Sequence, residues 1–124
     1  MALRQFLPEG CSYIGCDLAS REPRTIVCDF NADEYPNTDA DVTTMLGLLE
    51  YISDLGAFTA KVRTSRVIFS YHPVDAPDRR ADGRWLNAFG EDDLLRHFAR
   101  FVLLDRLTLS RGQRLYHFRA SNSV

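Results

Sequence analysis

Lysine is almost missing from this sequence: Lys61 stands alone against fourteen arginines. GC-rich coding explains that bias most simply and points to a bacterial or phage source. Cysteine is also scarce. Cys11, Cys16 and Cys28 are an odd number, too few for the disulfide framework of a small secreted domain, so free thiols are expected. No apolar run approaches the length of a membrane span, and no membrane association is expected. The opening Met-Ala-Leu-Arg-Gln-Phe-Leu-Pro-Glu lacks the continuous apolar stretch of a signal peptide, so a cytoplasmic protein is the default expectation. No basic residue occurs between Thr25 and Ala60. Zinc spacing around Cys or His, an EF-hand loop, a glycine-rich phosphate cradle and a nucleophile elbow are all lacking. No cofactor, no resident metal and no nucleic-acid partner are therefore expected.

What is present has globular proportions. With 124 residues, 45% hydrophobic and 26% charged, the chain is the size of one ordinary domain, and residues 1–124 are read as a single one. The net charge of −2 is unevenly spread. Residues 1–56 hold three Arg against ten Asp and Glu, a balance of −7. Residues 57–124 hold twelve Lys and Arg against seven Asp and Glu, a balance of +5. Such a split suits internal pairing, head-to-tail self-association, or two faces for different partners.

A short phrase occurs twice, as Ile14-Gly15-Cys16-Asp17-Leu18 and Ile26-Val27-Cys28-Asp29-Phe30. A hairpin turning at Glu22 pairs Leu18 with Ile26, Cys16 with Cys28, and Ile14 with Phe30, which sorts both strands into one apolar and one polar face. In this register both thiols point into the core and both aspartates face out. The phrase Tyr13-Ile14-Gly15-Cys16-Asp17-Leu18 also resembles the first strand of ribonuclease H-like nucleases. That resemblance implies a divalent metal on Asp17, with Asp29 a further candidate. The chain departs from that pattern, because a helix and not a third strand is expected after the second strand.

Apolar residues Val42, Met45, Leu46, Leu49, Ile52 and Leu55 recur at helical spacing behind the potential cap Asp39, so the pattern predicts a helix over 39–55. Alternation predicts strands over 57–63 and 66–72, an exposed loop over 73–83 and a short strand over 84–89. Glu91-Asp92-Asp93 opens a second helix carrying Leu94, Leu95, Phe98, Phe101, Val102 and Leu104. A last strand is expected over 113–120, with 121–124 frayed. The predicted fold is α+β: a mostly antiparallel sheet of five or six strands with two helices packed on it, in the order ββ-α-ββ(β)-α-β.

Among loops, Asp78-Arg79-Arg80-Ala81-Asp82-Gly83-Arg84-Trp85 carries the most suggestive chemistry. His72, Arg79, Arg80, Arg84 and Trp85 form the candidate anion site, with Arg forks for a phosphate or carboxylate and an indole for stacking. Asp78 and Asp82 are interleaved and can neutralise the arginines locally. No catalytic set is recognised. The leading expectation is a small, soluble, non-enzymatic protein that binds a macromolecular partner, a protein, through charged surfaces. The broad apolar stripe of the second helix favours a homodimer. The alternative is an anion-binding protein or a metal-dependent enzyme, with a pocket between sheet and helices.

Overall fold

The computed structural model describes residues 4–20, 23–79 and 82–121, which form two compact units, Met1–Thr38 and Asp39–Val124. No helix among the described residues is long and apolar enough to cross a membrane.

In the first unit, β1 (Cys16–Asp17) and β2 (Ile26–Val27) pair in parallel, Cys16 opposite Ile26 and Asp17 opposite Val27. The Ile26 N–H donates to the Gly15 carbonyl at 2.8 Å and the Cys28 N–H to the Asp17 carbonyl at 2.9 Å. The expected antiparallel hairpin is thus replaced by two strands running the same way. Its turn centre, Glu22, lies outside the described residues. The reason for the misreading is physical. Side-chain alternation fixes which residues share a face but is blind to strand direction. Cys16, Ile26 and Cys28 share a face in either arrangement. The face is also less buried than expected, since Ile14 is 47% and Leu18 66% exposed while Cys28 is buried. After β2, Asp29 caps a short 3₁₀ turn (Phe30–Ala32), its carboxylate accepting from the Asn31 N–H at 3.0 Å.

The second unit is built on a four-stranded mixed sheet. Its strands are β3 (Val42–Met45), β4 (Arg66–Tyr71), β5 (Phe101–Thr108) and β6 (Arg114–Ala120), in the spatial order β3-β4-β6-β5. β3 and β4 are parallel, while β6 runs antiparallel to both neighbours. Two short helices, α1 (Leu55–Thr59) and α2 (Glu91–Arg96), complete it. Two helices and a mixed sheet are therefore present. Two of the three pairings in this sheet are antiparallel, but a sheet of four strands and a separate one of two stand in place of the expected single sheet of five or six.

The differences have local causes. Over 39–55, the β-branched run Val42-Thr43-Thr44 favours the strand, and Gly47 adopts φ 68°, which breaks any helix there. The Gly47 N–H is held by the Ser70 hydroxyl at 2.8 Å, and a 3₁₀ turn (Leu49–Tyr51) follows. Over 57–63 the expected strand is replaced by α1. Leu55, Phe58 and Val62 are buried at spacings of three and four, a helical repeat that also satisfies short alternation. Asp54 caps α1 by accepting from the Ala57 N–H at 3.0 Å. Asp54→Ala is expected to lower stability by about 1 kcal/mol, measurable by urea denaturation. The Arg100 guanidinium closes the other end, donating to the Thr59 and Val62 carbonyls at 2.5 and 2.7 Å.

Helix α2 starts where its acidic first turn predicts, but it ends at Arg96. Phe101 onward is strand β5: Phe101, Val102 and Leu103 pair with β6, the register shifts at Leu104, and pairing resumes at Asp105, an apolar run that suits a strand as well as a helix. The segment 84–89 is not a strand. The core is aromatic: Phe69 of β4 stacks on Phe98 at 4.4 Å and on Tyr116 at 5.0 Å between ring centroids. Each such buried side chain contributes about 1.5–3 kcal/mol through burial alone. β5 is one edge of the sheet, with Leu103, Leu104 and Leu107 exposed, and β3 is the other.

Glu91 ties α2 to the sheet. Its carboxylate accepts from the Tyr116 hydroxyl at 2.8 Å, from Arg106 at 2.6 Å and from Arg114 at 3.1 Å. Burial pushes this carboxyl upward, but those bonds and the Arg106 charge outweigh it and leave it below its usual range. A carboxyl lowered in the folded state stabilises above its unfolded value, and that stability is lost as pH falls through the folded one. Glu91→Gln is therefore expected to flatten the loss of stability on acidification, read from denaturation midpoints between neutral pH and the acid limit.

Candidate functional site

In open parallel sheets, ligands sit outside the carboxyl ends of the strands. In the second unit, the carboxyl ends of the parallel pair β3 and β4 lead to two residues that meet. Glu50 lies in the 3₁₀ turn after β3, and His72 directly follows β4. Glu50 is 1% exposed. Its Oε2 lies 2.5 Å from His72 Nδ1, while its Oε1 is buried with no hydrogen-bond partner. An ionised carboxylate in this position would accept from Nδ1–H, the tautomer in which a neutral ring keeps its lone pair on Nε2. Some 17% of the His72 side chain reaches solvent, against 2% for Glu50.

The surrounding loop is held by backbone and amide bonds. The Leu86 N–H donates to the Glu50 carbonyl at 2.7 Å. Asn87 Nδ2 donates to the Leu49 and Ile52 carbonyls at 2.7 and 2.8 Å, which satisfies the end of the 3₁₀ turn. The Tyr71 hydroxyl donates to Asn87 Oδ1 and accepts from the Phe89 N–H at 3.0 Å. Burial pushes the Tyr71 phenol above its usual range, so it stays protonated as a donor.

Three of the five predicted anion-site residues converge here. The His72 ring stacks on Trp85 with 4.7 Å between centroids, and the Arg79 guanidinium lies 5.2 Å from the centre of the same indole. Arg79 Nε also donates to the His72 carbonyl at 3.0 Å. Trp85 thus stacks on the chain's own histidine. Arg84 is engaged by an acid of its own loop. It grips Asp82 through Nη2 at 2.8 Å and Nε at 3.1 Å, and these bonds hold the Asp82 carboxyl down to about 2. Arg80 lies outside the described residues.

Glu50 was not legible as a site residue, because an acid inside the mostly apolar stretch 42–55, which also holds Asp54, reads as the wet side of a helix. The only signal for it is its own position, an acid bracketed by Leu48, Leu49 and Ile52.

In the first unit, Asp17 ends β1 and Asp29 follows β2. The Asp17 carboxylate accepts from the Leu18 N–H at 2.7 Å. Among the described residues no group of three or more His, Cys, Asp or Glu is arranged to hold a metal ion. Burial pushes the Cys16 and Cys28 thiols upward, each helped by a neighbouring acidic group, Cys28 and Glu34 respectively. Raised thiols are poor nucleophiles at neutral pH.

No protein-family model matches the chain, and no curated protein does. Solved structures do. A structure described as a type 11 methyltransferase from Sulfolobus solfataricus aligns with TM-score 0.63 at 13% identity, covering 89% of this chain and 71% of that one. The pyocyanin biosynthetic protein PhzM aligns with TM-score 0.58 at 13% identity, over 78% of this chain and 34% of that one. TehB from Haemophilus influenzae gives TM-score 0.55 at 11% identity, over 78% and 41%.

The fold resembles that of methyltransferases. The chain spans about a third of PhzM's length and under half of TehB's. The expectation of a non-enzymatic protein that only binds a macromolecule is contradicted by this likeness of fold to methyltransferase structures.

Proposed function

We propose that the chain takes part in methyl transfer from a sulfonium donor of the S-adenosylmethionine type. The observation that carries the reading is the likeness to methyltransferase structures across most of the chain, 89% in the Sulfolobus case. The placement of polar groups at strand carboxyl ends supports it. Bound, such a donor supplies a methyl group on a positively charged sulfur, which leaves as a neutral thioether.

The residues of each unit, taken separately, fit parts of that chemistry. In the first unit, Asp17 stands at the carboxyl end of a parallel strand, the position from which an acid bonds ribose hydroxyls in doubly wound folds. In the second unit, His72 and Glu50 present a basic nitrogen and Arg79 a guanidinium beside it. An anionic group on the methyl acceptor suits Arg79.

Calorimetric titration of the full chain with S-adenosylhomocysteine tests the reading. Saturable binding is expected, weakened about 10-fold or more by Asp17→Asn, since a charged hydrogen-bond partner is lost. Absence of heat at millimolar ligand contradicts it.

A further inference from the structure

We propose that Arg79 anchors a carboxylate-binding site in the second unit, and that its ligand is a small organic acid docked on the outer edge of the guanidinium. The site is built from residues of that unit alone. Calling the acid a methyl acceptor rests on the methyl-transfer reading; the binding itself does not.

Arg79 is held at four points. Its backbone N–H donates to the Ala76 carbonyl at 3.2 Å. Its Cα packs so close to Gly112 that a Cβ there would come within 2.4 Å of it. Its Nε donates to the His72 carbonyl at 3.0 Å, and its guanidinium carbon lies 5.2 Å from the centre of the Trp85 ring. The side chain therefore loses its rotamer freedom on folding and not on binding, which lowers the entropy cost of gripping a ligand. Four other arginines of the unit are matched to acids: Arg84 to Asp82, Arg96 to Asp93, and Arg106 and Arg114 to Glu91. The buried acid nearby, Glu50, is matched to His72. Among the described residues no acid is ion-paired with Arg79, whose bonds run to a carbonyl and an indole.

The uncommitted part of the fork has a definite shape. A guanidinium carries five N–H donors in one plane. With Nε–H given to His72, the outer edge keeps two parallel N–H groups, one from each terminal nitrogen, spaced for the two oxygens of a carboxylate. Arg79 is half-exposed, so a ligand can reach it. Its bond to His72 sets the fork beside the carboxyl end of β4, where ligands of such sheets bind. One fixed positive charge matches the single charge of a carboxylate. A phosphate monoester carries nearly two at neutral pH and calls for a second cation, but Arg84 is already bonded to Asp82 through two nitrogens. The chain also has no glycine-rich phosphate cradle.

The probes are benzoate, its neutral counterpart benzamide, and inorganic phosphate, each titrated into the full ¹⁵N-labelled chain. The indole N–H of the single tryptophan and the Nε–H of Arg79 report binding in nuclear magnetic resonance spectra. Saturable shifts are expected with benzoate in the millimolar range, with benzamide and phosphate weaker by about 10-fold or more, since charge-assisted bonds are lost or mismatched. Arg79→Lys keeps the charge without the fork and should weaken benzoate about 10-fold, whereas Arg84→Lys should leave it unchanged. Benzamide binding as well as benzoate, equal losses in the two variants, tighter binding of phosphate, or no saturable shift each overturns the proposal. If Arg79→Lys fails to fold, the contrast between benzoate and benzamide on the natural chain still decides. S-adenosylhomocysteine titrated into the same sample keeps the two readings apart. Its binding without benzoate binding overturns this site and leaves methyl transfer standing. Benzoate binding without it supports the site and removes only the name of methyl acceptor.

Discussion

His72→Ala is expected to destabilise the second unit by about 3–5 kcal/mol, because it leaves the Glu50 carboxylate buried with neither oxygen partnered. For a small domain that is a large fraction of its total stability. The effect belongs to the stranded charge and not to the lost imidazole, so a second substitution should relieve it. His72→Leu combined with Glu50→Met removes the charge and fills the space, and it should recover most of the loss. Urea denaturation followed by circular dichroism measures both. A His72→Ala cost below about 1 kcal/mol, or a double variant no better than the single one, would show that Glu50 does not depend on His72.

Gly112→Ala has the second largest expected effect. Gly112 adopts φ 77°, and a Cβ there would lie 2.4 Å from Arg79 Cα and 2.7 Å from its backbone nitrogen. The obstacle is backbone, which cannot swing aside as a side chain can. Left-handed conformation costs a residue with a Cβ roughly 1–2 kcal/mol, and overpacking adds roughly 1–3 kcal/mol. A total of about 2–5 kcal/mol is expected. Gly47→Ala provides the control, since Gly47 also has positive φ but meets nothing within 4 Å. Its cost should be the conformational part alone, about 1–2 kcal/mol. Because Arg79 bonds the His72 carbonyl and lies over Trp85, Gly112→Ala should also change the fluorescence of this single tryptophan. Equal costs at the two glycines would show that the Arg79 contact carries no energy.

The sequence showed some of this architecture and hid the rest for identifiable reasons. β4 and β6 were legible because Val67, Phe69 and Tyr71, and Tyr116 and Phe118, alternate with less buried neighbours inside long strands. The start of α2 was legible from Glu91, Asp92 and Asp93, which suit the positive end of a helix. The parallel pairing of β1 with β2 was not legible, since the same alternation fits either direction. The 39–55 segment misled because apolar spacing of three and four arose from a strand, a glycine turn and a 3₁₀ turn placed in succession. Phe101 to Leu104 misled in the opposite sense, extending a helical stripe that the chain leaves after Arg96.

The site divides in a similar way. His72, Arg79 and Trp85 stood out by residue type and do meet. Arg84 stood out equally, but Asp82, two residues away, captures it. Glu50 is the buried acid and escaped notice, because burial of a single acid follows from tertiary packing and not from local pattern. The type of chemistry was hidden for a related reason. The likeness of fold to methyltransferase structures lies in the course of 78–89% of the chain, at 11–13% identity, and not in a short motif.

Ultraviolet cross-linking of the full chain with S-adenosylmethionine labelled in its methyl group tests the central claim most directly. The account predicts covalent label on the protein that is abolished by excess unlabelled S-adenosylhomocysteine and reduced in Asp17→Asn. Label that is absent, or that persists undiminished under excess S-adenosylhomocysteine, would contradict methyl transfer as the chemistry of this fold.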